Sequence, residues 1–529
     1  MTERTVGPVV TAKSPRDLTQ ATTVQSGDHY LFQRGNTVLR VSVDADQFAG
    51  LSRSEFVVQN NAGDFSTLND GDVVWAGGLG YVRSTSATAI SDIAGFVPLP
   101  PVRADHFADN TTPGTTDMTA AVQAQADYCL PLGQDMLNGP DAIALSDTVT
   151  FSGVIGEAVL RRKIGGNYVA IGAAWADDGD GYSKAMFHVD GASNLDLTDM
   201  RIDAKWLASG LLIENNENVY IGGNFIVQRW RVRVDDMSYG LRTKTVAGQL
   251  VICNGATARQ YKWGDTNFDD QADRTGYGFK METADFLLSG IQAYYTKFPV
   301  HIDPTGPWKM SDAHVFNGAL TTVTDATSIY GVYVESPTNG VVSNVYHDNA
   351  KFYINADDLQ ASDFISLNMS NVYFHENANN DSDFSMEIHT TTAGNDLGGL
   401  HMANCIFNAA NDVTLTTSGS GSFASNKFAL LSNVATKSGV KMDAFEATHS
   451  MGAVGLASTN AGQRGSLAFA RPTSGTVAYA ATISGSSLEV VATQNTGAHT
   501  TGGATLAGTW QNLGATASTT TASLFQRVS

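Results

Sequence analysis

From residue 195 to about residue 430, short runs alternate apolar with other residues, and a single polar or glycine position interrupts each run near its middle. In LNMSNVYF, residues 367–374, apolar side chains recur with period two up to Met369 and again from Val372, with Asn371 between them. Period two lines up one set of side chains on one face of a strand. With the second apolar residue as anchor, the same octapeptide recurs as LDLTDMRI (Leu197), VYIGGNFI (Ile221), LVICNGAT (Ile252), FLLSGIQA (Leu288), WKMSDAHV (Met310), GVVSNVYH (Val342) and LHMANCIF (Met402). A looser copy, SFASNKFA, has Ala424 as anchor. Successive anchors lie 22 to 36 residues apart. The central positions are Asp199, Gly223, Asn254, Gly290, Asp312, Asn344, Asn371, Asn404 and Asn426, all residue types that tolerate left-handed backbone.

Strand, one-residue bend, strand, repeated at a minimum spacing with loops inserted at the turns, predicts an all-β chain wound as a parallel β-helix. Asn residues at successive bends would stack into a hydrogen-bonded ladder. A run of antiparallel hairpins would instead require Asn-Gly or Asp-Gly at two-residue turns, and those dipeptides are rare here. A solenoid also needs a covered end. Thr116 or Asp117 is placed to cap a helix running through Cys129, just before Pro131.

That capping segment, with Thr116-Asp117, Ala120-Ala121-Val122-Gln123 and then Thr148-Val149-Thr150-Phe151, resembles the entry to the β-helix in bacteriophage tailspikes of the pectate-lyase-like fold. It departs from their pattern in lacking Gly-Ala-x-Gly-Asp-Gly. Residues 70–101, with Ala76-Gly77-Gly78 before an aromatic strand, resemble the small β module that precedes the helix in many tailspikes. Residues 508–529 are similar to the closing strands of phage tail fibres. The resemblance implies a right-handed parallel β-helix in a homotrimeric virion spike. Residues 1–104 would attach to a virion protein, 105–437 would form the helix with its capping element, and 438–529 would form a C-terminal β domain for trimerisation or a receptor tip. It further implies a bacterial surface polysaccharide, capsule or lipopolysaccharide, as the partner of the helix.

At 529 residues the chain exceeds one ordinary core unless it is a repeat array. A formal charge of −20 would repel phosphate, which argues against nucleic acid as a partner. Cys129, Cys253 and Cys405 are too scattered for a disulfide framework or a metal spacing, and each reads as a small apolar filler. The opening MTERTVGPVVTAKSPRD has no apolar run of the signal-peptide kind, and no stretch of 18 apolar residues occurs. The expectation is synthesis in a host cytoplasm, no membrane insertion and a final place on the virion. No cofactor is expected.

Candidate chemistry comes from a second recurrence, Gly–apolar–x–apolar–Glu, in GLLIE, GFKME and GVYVE. Glu214, Glu282 and Glu335 end these runs, while Asp190, Lys244 and Asp303 fall in nearly the same register. Glu282, Asp303 and Glu335 would then stand in three consecutive coils, roughly 4.8 Å apart for neighbours and about 9.6 Å for next neighbours. Those separations approximate the carboxylate pairs of retaining and inverting glycosidases. Stacked like charges would raise one pKa and supply an acid. Equally, carboxylates at turns can simply hydrate the surface or contact a glycan. The longest excursion, RQYKWGDTNFDDQADRTGYGFK, brings Tyr261, Trp263 and Tyr277 together with Asp270, Asp273 and Arg274. Aromatic faces with carboxylates suit a saccharide groove, and they suit packing on a second subunit too. Trp308, Tyr294 and Tyr295 are weaker aromatic candidates. WADDGDGY at 175–182 has the Asp-Gly alternation of a calcium loop without its closing Glu, so no metal is assigned. Lys244, Arg259 and Lys262 show no pattern that would favour a lyase. Three functions remain open: an endo-glycosidase spike, a spike that only holds glycan, and a structural fibre.

Overall fold

The computed structural model describes residues 28–34, 37–43, 52–436 and 467–527, the last two with interruptions. Interruptions longer than five residues are 86–92, 153–160, 245–250, 261–274, 317–329, 358–365, 376–385, 392–398 and 420–429. The chain divides into two units, residues 1–171 and 172–529.

In the first unit, helix α1 (Arg53–Ala62) opens with a capping box between Ser52 and Glu55 and closes on left-handed Gly63. Its Phe56 packs on Tyr81 and Phe96 of an antiparallel sheet formed by Val73–Ala76, Leu79–Arg83 and Phe96–Pro98. The first two of these strands are joined by Gly77 and Gly78, both with positive φ. Helix α2 (Thr119–Cys129) differs from its sequence expectation at the start: the N-cap position is Met118, without a side-chain bond. Asp117 serves from one residue further out, its carboxylate accepting from the Thr119 N–H at 3.0 Å and from the Ser146 hydroxyl. Thr116 is engaged with Thr111 and Thr112 instead.

The second unit is a parallel β-helix of three ladders. The first comprises β1 (Ala185–Asp190), β2 (Ser209–Glu214), β3 (Tyr239–Lys244), β4 (Tyr277–Glu282), β5 (Phe298–Ile302), β6 (Tyr330–Glu335), β7 (Lys351–Asn355), β8 (Met386–Thr390) and β9 (Val413–Thr417), each paired in parallel with the next. The second ladder carries the anchors. Its register aligns Ile221, Cys253, Leu288, Met310, Val342, Met369, Met402 and Leu431. One anchor is thereby corrected. LVICNGAT presents four apolar residues in a row, so alternation alone does not fix its phase, and Cys253 rather than Ile252 points inward. Leu430–Ser432 pairs with the rung at Leu400–Ala403, and SFASNKFA, with Ala424 and Asn426, lies outside the described residues.

Between the second and third ladders the bend falls on Gly290, Asp312, Asn344, Asn371 and Asn404, all with φ between 51° and 60°. In the coil at 254 the neighbouring Gly255 takes the left-handed position, which costs glycine least. Asp199 and Gly223 do not adopt it. The Asn ladder is present: Asn371 Nδ2 donates to Asn344 Oδ1 at 2.9 Å, and Asn344 Nδ2 donates to Asp312 Oδ1 at 3.1 Å. Leu, Ile, Val, Met and Phe from the three ladders fill the coil interior, together with buried, unpaired Cys253 and Cys405. Residues 467–527 contain a six-stranded sheet, antiparallel in each registered pair, around Leu488, Trp510 and Phe525. Among the described residues no helix is long and apolar enough to cross a membrane.

Candidate functional site

The recurring Gly of the Gly–apolar–x–apolar–Glu runs is explained by coil stacking. A Cβ on Gly210 would meet the Gly240 carbonyl at 2.2 Å, and one on Gly278 would meet that of Pro299 at 2.5 Å. Two residues later, on the face opposite the core, the register aligns Arg242, Lys280, His301, Tyr333, Tyr353 and Glu387 across β3 to β8. Two residues later again comes the carboxylate column. Asp190 pairs with Glu214 and Lys244 with Glu282, while Asp303 and Glu335 follow the paired residues Ile302 and Val334. The Asp303 N–H donates to the Met281 carbonyl at 2.9 Å, which continues the ladder to that position. Glu282 and Glu335 thus end β4 and β6, and Asp303 stands one residue past the end of β5 between them.

The column differs electrostatically from a stack of bare carboxylates. Arg242, 5% exposed, donates through Nε to Glu282 at 2.6 Å, and Lys280, 6% exposed, reaches the other oxygen of Glu282 at 2.9 Å. Burial pushes the Glu282 pKa up, but the Lys280 charge and the Arg242 bond outweigh it and hold it below the usual carboxylate range. Glu335 is held low as well, first by its contact with His301, whose Nε2 lies 3.5 Å from Oε1, with burial opposing. Burial drives His301 towards the neutral imidazole, and its Nδ1 has no hydrogen-bond partner. The expectation that stacking raises a carboxyl pKa fails at Glu282 and Glu335, because cationic and imidazole groups interleave with the acids. Both are carboxylates at neutral pH.

Aromatic rings line the same face. Tyr277 stacks on Phe298 and Phe298 on Tyr330, each at 5.0 Å between ring centres. Alongside, His301 stacks on Tyr333 at 5.0 Å and Tyr333 on Tyr353 at 4.9 Å. Lys351 lies 5.8 Å from the rings of Tyr330 and Tyr353 and binds Glu387 at 2.6 Å. Such a row of rings and charged groups can stack on sugar faces and bond to hydroxyls.

Of the sequence candidates, Glu282, Asp303, Glu335 and Tyr277 stand on this face. Trp308 does not: it is 3% exposed, stacked on Phe286 inside the coil, and a Cβ at Gly340 would strike its ring at 2.4 Å. It sits two residues before the anchor Met310, a position the alternation sends inward. Tyr294 and Tyr295 belong to the third ladder and its turn, beside Phe316. Tyr261, Trp263, Asp270, Asp273 and Arg274 lie outside the described residues. WADDGDGY folds over the start of the same face. The Asp178 carboxylate accepts from the N–H groups of Asp180 and Tyr182, and Asp180 pairs with Lys244 at 2.6 Å and Arg242 at 3.3 Å. The Tyr182 ring covers Arg242 at 4.0 Å. Its acids thus serve backbone and cations. Arg242, Lys280, His301, Tyr333, Tyr353, Lys351 and Glu387 escaped the sequence reading. Two residues before Lys244, Glu282, Asp303 and Glu335 stand Arg242, Lys280, His301 and Tyr333, so the column's own period pointed to these four.

No protein-family model matches the chain, and no curated protein matches it. Solved structures similar to it include the Dettilon tailspike protein, at 11% identity over 67% of this chain and 72% of that one, with a TM-score of 0.40. The enzymatically active domain of tailspike protein 2 of bacteriophage CBA120 matches at 11% identity over 87% and 69%, with a TM-score of 0.41. PfbA, a surface adhesin of Streptococcus pneumoniae, matches at 10% over 63% and 89%, with a TM-score of 0.39. Likeness of this degree assigns no activity.

Proposed function

We propose that the chain is a homotrimeric virion spike whose first ladder binds and hydrolyses a bacterial surface polysaccharide. Residues 1–104 serve attachment, 105–437 recognition and catalysis, and 438–529 trimerisation or a receptor tip. The observation that supports this best is the outer face of β4 to β7, where three acids stand at or just past the ends of successive strands beside two rows of stacked rings. Glycoside hydrolysis needs one group that gives a proton and one carboxylate that activates water or attacks carbon. Glu282 and Glu335 are fit for the second role. Asp303, between them, is assigned the first.

Binding without catalysis is the second reading, and the cations tied to Glu282 favour it, since an acid locked in ion pairs has less freedom to act on substrate. One experiment separates the two. Purified protein is incubated with host capsule or lipopolysaccharide while chain length and reducing ends are followed. Shortening with new reducing ends is expected, and Asp303→Asn should slow it by 10²–10⁴-fold while glycan is still retained. Retention without shortening selects the binding spike. An unsaturated-sugar ultraviolet band would mean elimination and remove the two-acid scheme.

A further inference from the structure

At its first two strands the outer column places two acids face to face. Asp190 ends β1, Glu214 ends β2, and the register pairs them directly. His188 precedes Asp190 by two residues and so shares its face. Like charges opposed on neighbouring strands are destabilising unless something compensates them. Lys244 lies 3.6 Å from Glu214 and 2.6 Å from Asp180.

We propose that His188, Asp190 and Glu214 bind one divalent cation of the zinc class and clasp the first two coils of this ladder. One ligand atom from each residue lies within 4.8 Å of the other two. Both carboxylates are also held from outside: Asn215 Nδ2 donates to Asp190 Oδ1 at 2.8 Å, and Lys244 faces Glu214 Oε2. Outer contacts of this kind fix ligand carboxylates in place. One imidazole with two carboxylates suits zinc or its first-row neighbours, whereas calcium takes six to eight oxygens and magnesium keeps mostly water. His188 and Glu214 are 23% and 21% exposed, open enough for an ion to enter and shielded enough for its charge to count. His188 Nε2 now lies 2.9 Å from Glu214 Oε1. The cation would take the place of this direct contact. This assignment stands on coil geometry and is independent of the glycan reading.

The test uses the full chain, stripped with a chelator and titrated with Zn²⁺ by calorimetry. One equivalent per chain is expected, with at least tenfold weaker binding in His188→Ala and Glu214→Gln. Zinc should raise the melting temperature of the unmodified chain and leave that of His188→Ala unmoved. No saturable uptake, or uptake indifferent to His188→Ala, overturns the proposal. Should that variant fail to fold, Asp190→Asn and the stoichiometry of the unmodified chain decide in the same way.

Discussion

His347 occupies an inward position of the third ladder, aligned with Val315 and Phe374, with its ring against Phe352 and Phe374 and no partner for Nε2. Burial pushes its pKa down to about 3, and His106 in the first unit is pushed down to about 4 for the same reason. A histidine depressed in the fold binds its proton more readily in the unfolded chain, so stability rises with pH between the folded and unfolded values. It is complete above about pH 6.5 and is lost as pH falls towards 3. Glu282 and Glu335, also depressed, withdraw their contribution only below about pH 4.5, so the loss above that pH is not theirs. Thermal melts from pH 7 to pH 4.5 should therefore fall, and His347→Leu should remove roughly 2–3 kcal/mol of that loss at pH 4.5. At Trp308, interior packing predicts that Trp308→Ala costs about 3–5 kcal/mol in denaturant melts. The folded fraction should shorten or retain polysaccharide as before.

At the scale of the element, the bend ladder makes a sharper test. Asn371 combines a positive φ with a bond to Asn344, so Asn371→Ala loses both, about 1–3 kcal/mol, whereas Asn371→Gly loses the bond alone. Equal destabilisation of the two variants in urea would mean that the left-handed bend contributes nothing. These elements were legible in advance because two independent signals coincided: period-two alternation and a residue type suited to positive φ at one fixed offset. Where one signal was blurred, the phase slipped. Four consecutive apolar residues at 250–253 hid the inward choice of Cys253. The carboxylate column was legible through its own period. Its charge state was legible only in part: Lys280 precedes Glu282 by two residues on the same strand, but Arg242 and Asp180 reach Glu282 and Lys244 from another strand and a loop, which no spacing within one strand records.

For the whole molecule, charge governs assembly. Each chain carries −20, so three of them repel at long range when salt is low. The proposed trimer should sediment as three chains at 150 mM salt and loosen at 10 mM; a single-chain species at both would remove it. The ladders carry a mechanical consequence as well. Interstrand bonds run from each coil to the next, in three ladders at once, so tension along the stack is shared by a whole coil's bonds. Force applied sideways to an end strand meets only that strand's row, and the stack frays coil by coil. A stack built this way resists being stretched end to end far better than it resists being peeled from an exposed end.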